Sequence, residues 1–160
     1  MNDPEKANAF ILANEGYDVW LGNNRGSRFS LGHKTLSNKD RDYWEYWQAD
    51  LGLKDTKAWI DFILEKTGLE SLSYVGHSQG TTQMFLAGSL DPAYFKQKVN
   101  LFVALAPVGT TASISNPLLK FASDHINLFI DTIVEDNKLY NWFPNFEEGT
   151  EAIDLVCTLA

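Results

Sequence analysis

The sequence holds a single cysteine, Cys157, so no disulfide can close within it and no thiolate metal site can be assembled from it. Positive charge is also short. Thirteen Lys and Arg stand against 21 Asp and Glu, for a formal net charge of −8. That balance opposes affinity for nucleic-acid phosphates or anionic membrane surfaces, which need a basic patch, and favours a neutral, cationic or apolar partner. No apolar run approaches the roughly 18 residues of a membrane-spanning helix. The opening stretch, MNDPEKANAFILANEGYDVW, carries early acids and only a short apolar run, so it does not read as a secretory signal. Neither an internal repeat nor a low-complexity segment appears. What the chain does have is apolar and aromatic bulk: 44% hydrophobic residues in 160, with ten Phe, six Tyr and five Trp, enough for the core of one domain.

The order of local signals is helix, strand, helix, strand, helix, strand. Asp3-Pro4 before EKANAFILANEG predicts a helix stopped by Gly16. YDVWL, Tyr17 to Leu21, predicts a short strand, and the glycine-rich polar stretch from Gly22 to Asp40 a loop. From Asp42 to Lys66 the apolar residues Trp44, Trp47, Leu51, Trp59, Ile60, Ile63 and Leu64 recur mostly at three- and four-residue spacing, which predicts one or two amphipathic helices closed by Gly68. LSYV then reads as a buried strand, QGTTQMFLAGSL as a helix, and NLFVALAPVG as an apolar strand of the kind a parallel sheet buries on both faces. Such an alternation predicts an α/β fold, a parallel sheet with flanking helices. After Pro107 the apolar clusters fall at helical spacing with no further strand, so residues 1–110 form the core and 111–160 begin a helical excursion above it. Three parallel strands would leave two open edges and large apolar faces without partners. The chain is therefore expected to be part of a larger fold or an unusually small one.

Between the second strand and its helix lies Gly76-His77-Ser78-Gln79-Gly80. The bare Gly-x-Ser-x-Gly pattern is common, but here it follows a strand and precedes a helix directly, the setting a nucleophile elbow requires. In that turn a serine takes a strained conformation, and glycines at Gly76 and Gly80 would avoid collision with the neighbouring strand and helix. Ser78 Oγ would stand above the carboxyl edge of the sheet, and the N–H of Gln79, at a helix start, would favour an oxyanion. Ser78 and Gln79 are thus the candidate catalytic residues; the plainer reading is a tight turn with an incidental serine. His77 adjoins the serine but would point away from it, and reads as a packed or hydrogen-bonded residue bracing the turn.

YVGHSQGT, with AWIDFILEKTG and LANEGYDVWLGNNRG before it and LFVALAPVG after it, resembles the acid lipases, the gastric and lysosomal lipase and cholesteryl-esterase group of α/β-hydrolases. The resemblance runs from about Ala9 to about Cys157. It implies a partial α/β-hydrolase fold: the central part of the core over residues 1–110, and the start of the helical cap, or lid, over 111–160. It implies hydrolysis of triacylglycerol or steryl esters through an acyl-enzyme on Ser78, with a lipid ester as the partner. A cysteine matching Cys157 can pair with a downstream one in that family. A secreted or lysosomal place follows if the chain belongs to a full-length acid lipase. No cofactor and no metal are implied. An esterase or thioesterase on short acyl groups, and a non-catalytic fragment or lipid-binding remnant, are the alternatives.

A serine nucleophile needs a base and a carboxylate to hold it, in α/β-hydrolases in the chain order Ser, Asp or Glu, His. Only His125 follows Ser78, after a single further strand, and it reads as a polar residue of the cap helices. His33 precedes the serine and breaks the order. Asp124 adjoins His125, and Asp91 ends the helix after Ser78. The triad acid and base are therefore expected to be absent, together with the family's upstream His-Gly loop for the second oxyanion donor. Arg25 in NNRGSRFS reads as a structural hydrogen-bond donor. Tyr43, Trp44, Tyr46 and Trp47 suit packing more than a carbohydrate platform, and Asp50, Asp55 and Asp61 read as the solvated face of a helix rather than a metal site. Leu118, Leu119, Phe121, Leu128, Phe129, Ile130 and Ile133 are apolar enough to touch lipid or to pack onto the body.

Overall fold

The structure is a computed structural model, described here for residues 3–110, 115 and 117–125. The chain opens with a 3₁₀ turn, Pro4–Lys6, and a helix α1, Asn8–Asn14, that ends before Gly16 at φ 90°. The single helix expected from Asp3 to Gly16 is thus broken at Ala7, whose ψ of 122° is extended. Neither piece buries a residue, so no packing face holds the three- and seven-residue pieces together as one longer helix.

The strand expected over Tyr17–Leu21 does not pair. A strand exists only through a neighbour that answers its N–H and C=O groups, and among the described residues none lies beside this segment. Tyr17 and Leu21 stand 65% and 76% exposed.

A 3₁₀ turn, Arg41–Trp44, leads into α2, built of Gln48–Asp50, Leu51–Thr56 and Lys57–Thr67 in continuous right-handed helical backbone. Its start is fixed by the Asp50 carboxylate, which accepts from the Trp47 N–H at 2.9 Å, and its end by Gly68 in the left-handed region, φ 71°. The middle piece is wound as a π-helix, where the Thr56 hydroxyl donates to the Leu51 carbonyl at 3.1 Å. Strand β1, Leu72–His77, is followed by α3, Gln79–Leu90, then α4, Pro92–Lys98, and strand β2, Val99–Leu105. Asp91 caps α4 by accepting from the Tyr94 N–H, at 3.3 Å.

β1 and β2 form a parallel pair whose register ends with His77 opposite Leu105. The core sits between this pair and the helices: Ile60 and Leu64 from α2, Met84 and Ala87 from α3, and Phe95 from α4, with Leu72, Tyr74 and Phe102 packed against them. Tyr74, Phe85 and Phe102 add edge-to-face ring contacts at 5.8 and 5.3 Å. Only one face of the pair is covered. Val75 and Leu101 are 48% and 55% exposed, so burial on both faces, expected for the second of these strands, does not hold among the described residues. The helical texture after Pro107 is present as α5, Pro117–Asp124. Leu128, Phe129, Ile130, Ile133 and Cys157 lie outside the described residues.

The π-turn brings α2 onto α3 at Gly52. A Cβ there would lie 2.7 Å from the Gln83 carbonyl oxygen and 3.0 Å from the Ala87 Cβ, and the first of these is backbone that cannot swing aside. G52A is therefore expected to destabilise the fold by about 1–3 kcal/mol, the usual cost of overpacking. A urea midpoint equal to that of the parent chain would show that the two helices separate freely.

Candidate active site

Ser78 stands between the last residue of β1 and the first of α3 with φ 49° and ψ −113°. A side chain at positive φ costs on the order of 1–3 kcal/mol and persists only where its surroundings fix it. Here they do. The Ser78 N–H donates to the Leu105 carbonyl at 3.0 Å, extending the strand pairing by one step, and the Ser78 carbonyl accepts from the Thr81 N–H at 2.9 Å. The serine itself is exposed.

The two glycines of the motif have different reasons to be there. A Cβ on Gly76 would come within 2.8 Å of the Gly80 carbonyl carbon and oxygen and 3.0 Å of the Thr81 nitrogen. A side chain at this position would push the start of α3 off the strand. At Gly80 the expected collision is absent: the nearest described atom to a Cβ is the Tyr74 hydroxyl oxygen at 3.8 Å, an ordinary contact. That hydroxyl donates to the Gly80 carbonyl at 3.1 Å, which ties the strand to the first turn of the helix. Burial raises the pKa of Tyr74 above its ordinary value, so the phenol stays protonated as a donor.

Gln79 opens α3 and is exposed, and its N–H, at the first helical position, has no acceptor within the helix. It lies beside the serine at the positive end of the helix dipole. A nucleophile-sized hydroxyl and a free donor next to each other, both at the carboxyl edge of the strands, can hold a developing negative charge.

The structure brings none of the three histidines to Ser78 by a hydrogen bond. His33 Nδ1 accepts from the N–H groups of Thr35 and Leu36 at 3.2 and 2.9 Å, and its ring meets Tyr43 edge-on at 6.0 Å. It braces its own loop. His125 follows α5 and meets Phe121 edge-on at 4.5 Å. His77, expected to brace the turn, is exposed and its side chain has no hydrogen-bond partner among the described residues; the bracing is done by backbone and Tyr74 instead. Asp91 is engaged by the Lys57 ammonium and the Tyr94 N–H, which hold its carboxyl below the ordinary range. Asp124 is exposed.

The polar loop after Leu21 is anchored through Arg25. Its Nε and Nη2 donate to Asp55 Oδ1 at 2.8 and 2.5 Å, and its N–H to Oδ2 at 2.9 Å, while its carbonyl accepts from the Tyr46 hydroxyl at 3.1 Å. The structural reading of Arg25 holds. Asp55 corrects the expectation of a solvated face: it is 8% exposed, and its carboxylate holds the guanidinium pKa above its ordinary value. Asp50 pairs with Lys54 at 2.7 Å, Asp61 accepts from the Tyr94 hydroxyl at 2.7 Å, and no acidic or histidine cluster suited to a metal occurs among the described residues. Tyr43 and Trp44 donate to the carbonyls of Ser30 and Asn38, as packing residues do, whereas Trp47 is exposed. An apolar cleft of about 410 Å³ opens between Trp20, Leu21, Trp59 and Phe62, with neither Ser78 nor Gln79 on its wall.

Thr81 escapes a reading of the sequence. It is fully buried, and its hydroxyl donates to the Ser78 carbonyl at 2.6 Å. The only local signal is a hydroxyl residue on the side of α3 that turns inward.

The alpha/beta hydrolase fold family model matches residues 4–150. The chain is 41% identical to mouse gastric triacylglycerol lipase over 99% of its own length and 41% of the relative's. It is 43% identical to the Caenorhabditis elegans lipase lipl-3 over 93% of its length, and 47% identical to human lipase member K over 76%. These matches span 34% and 30% of those two relatives, so the chain covers less than half the length of each of the three.

D55A would leave the Arg25 fork without its acceptor, and is expected to cost about 2–3 kcal/mol after allowance for the partly exposed guanidinium. R25K should lose part of the same stability, since one ammonium cannot reproduce the Nε and Nη2 donors that converge on Oδ1, although the backbone N–H to Oδ2 remains. Equal urea midpoints for R25K and the parent chain would refute an anchor that needs both guanidinium donors.

Proposed function

Because the chain belongs to the α/β-hydrolase fold family, we propose that it is the central part of a lipase acting on triacylglycerol or steryl esters through an acyl-enzyme on Ser78. The observation that carries this reading is the backbone of Ser78, held at φ 49° between β1 and α3 with the Gln79 N–H beside it. The likeness to proteins named as lipases supports the ester as substrate class.

On this reading Ser78 Oγ attacks the ester carbonyl carbon, and the carbonyl oxygen takes the negative charge. The Gln79 N–H meets that oxygen, and the helix dipole adds to the effect. The alcohol leaves with a proton, the acyl group stays on Oγ, and water later removes it. Both proton transfers need a base. Among the described residues no imidazole is bonded to Ser78, so the local geometry supplies one charge-stabilising donor and not the proton-transfer half of the chemistry. Residues 1–110 serve as core and 111–160 as the start of a cap; the end of β2 at Leu105 and the helix beginning at Pro117 agree with that division. The lipase likeness also favours a secreted or lysosomal place.

Incubation with a fluorophosphonate in excess should label Ser78 slowly and only Ser78, with the label lost in S78A. Ester turnover by the 160-residue chain should lie on the order of 10⁴-fold or more below a complete serine hydrolase, as when triad members are removed. A folded chain that takes no label refutes the acyl-enzyme, and turnover near that of a complete lipase refutes the missing base.

A further inference from the structure

The two strands end level with each other, and the residue after each is strained in the same sense. Ser78 follows His77 with φ 49°, Ala106 follows Leu105 with φ 47°, and they are the only described residues other than glycine at positive φ. Two residues at positive φ at the end of a parallel pair are strained, and such a state persists only where its surroundings fix it. The first two threonines of α3 tie the serine to the turn that follows Ala106. The Thr81 hydroxyl has one proton, which it gives to the Ser78 carbonyl at 2.6 Å, and it accepts from the Val108 N–H at 2.9 Å. The Thr82 hydroxyl donates to the Val108 carbonyl at 2.8 Å. Val108 is thus gripped through both its N–H and its carbonyl by successive side chains of the helix that Ser78 begins.

We propose that Thr81 is a positioning residue for Ser78: its hydroxyl joins the carbonyl of the nucleophile to the turn after β2, so that turn and serine are set as one body. This extends the acyl-enzyme reading given above and rests on it for its kinetic consequence. Thr81 is fully buried, so water cannot replace either partner once the hydroxyl is gone. The Ser78 carbonyl retains the Thr81 N–H, which keeps the turn formed, but the second bond that fixes its direction is lost. The Val108 N–H loses its acceptor altogether. Thr82 holds the same turn without touching Ser78, and so separates a loosened turn from a misdirected serine.

The test uses the 160-residue chain with T81V, T81S and T82V. Two readouts need no chemistry at Ser78: amide exchange of Val108, and the carbonyl ¹³C shift of Ser78. T81V should speed Val108 exchange about tenfold or more, the equivalent of one hydrogen bond of about 1.4 kcal/mol, and move the Ser78 carbonyl shift. T81S should leave both near the parent values, and T82V should leave the Ser78 shift in place. Phosphonylation of Ser78 should slow about tenfold or more in T81V, as small misplacements of a reacting group do, with T81S within about threefold of the parent. If T81V does not fold, T81C carries the same expectations, because a thiol is a poorer donor and acceptor than a hydroxyl. Unchanged Val108 exchange and Ser78 shift in T81V would overturn the inference, as would T81S behaving like T81V. A parent chain that takes no label refutes the acyl-enzyme and leaves the exchange and shift measurements to decide the role of Thr81.

Discussion

The molecule is organised around a backbone conformation that a serine resists. Ser78 at φ 49° can be held only if its N–H and carbonyl are both committed, and each commitment reaches a different part of the fold. The N–H goes to Leu105, so the serine depends on the register that ends β1 and β2 together. The carbonyl goes to Thr81, so it depends on α3 starting at once, without an intervening loop. An insertion of one residue on either side would release one of the two, and the strained state would relax.

A helix that must start at once must also lie close over the strand it leaves. That closeness explains why Gly76 cannot carry a side chain, and it passes the problem outward to the next layer. α3 presents Gln83 and Ala87 to α2, and α2 meets them with Gly52 inside a π-turn rather than with a regular helical turn. The extra residue in that turn also places Asp55 inward, where Arg25 reaches it from the loop after Leu21. Elbow, helix contact and loop anchor are successive consequences of one short approach, and the buried residues Thr56, Gln83 and Asp55 are polar because they lie along that line rather than in the apolar core.

Much of this was legible in the sequence, and what was not has a common cause. β1, α3 and β2 are fixed by short-range signals: an apolar run, a Gly-x-Ser-x-Gly turn, and a helix start without a gap. Gln79–Leu90 falls on the predicted stretch to the residue. The strand over Tyr17–Leu21 failed because pairing is not a property of the segment but of a neighbour, which the described residues do not provide. Asp55 was misread because acids at helical spacing look solvated until a loop 30 residues earlier folds back over one of them. A collision is expected at both Gly76 and Gly80, yet only a Cβ on Gly76 would point into the close approach of strand and helix; one on Gly80 would not. Family likeness placed the whole chain correctly among α/β-hydrolases, which local signals alone would have left as an α/β sheet.

The same distinction divides the chemistry. One oxyanion donor needs only a free N–H at a helix start, and a turn of five residues encodes that donor. Moving a proton needs an imidazole carried to the serine from another part of the chain, and such a group leaves no trace in the motif. His33, His77 and His125 are each accounted for by their own surroundings, in a loop, at the solvent and against Phe121. A serine can therefore be fully shaped for attack by residues within a few positions of it while its reactivity is decided by residues far away. That is why the geometry of Ser78 argues for a nucleophile more strongly than any histidine in the described structure argues for its base.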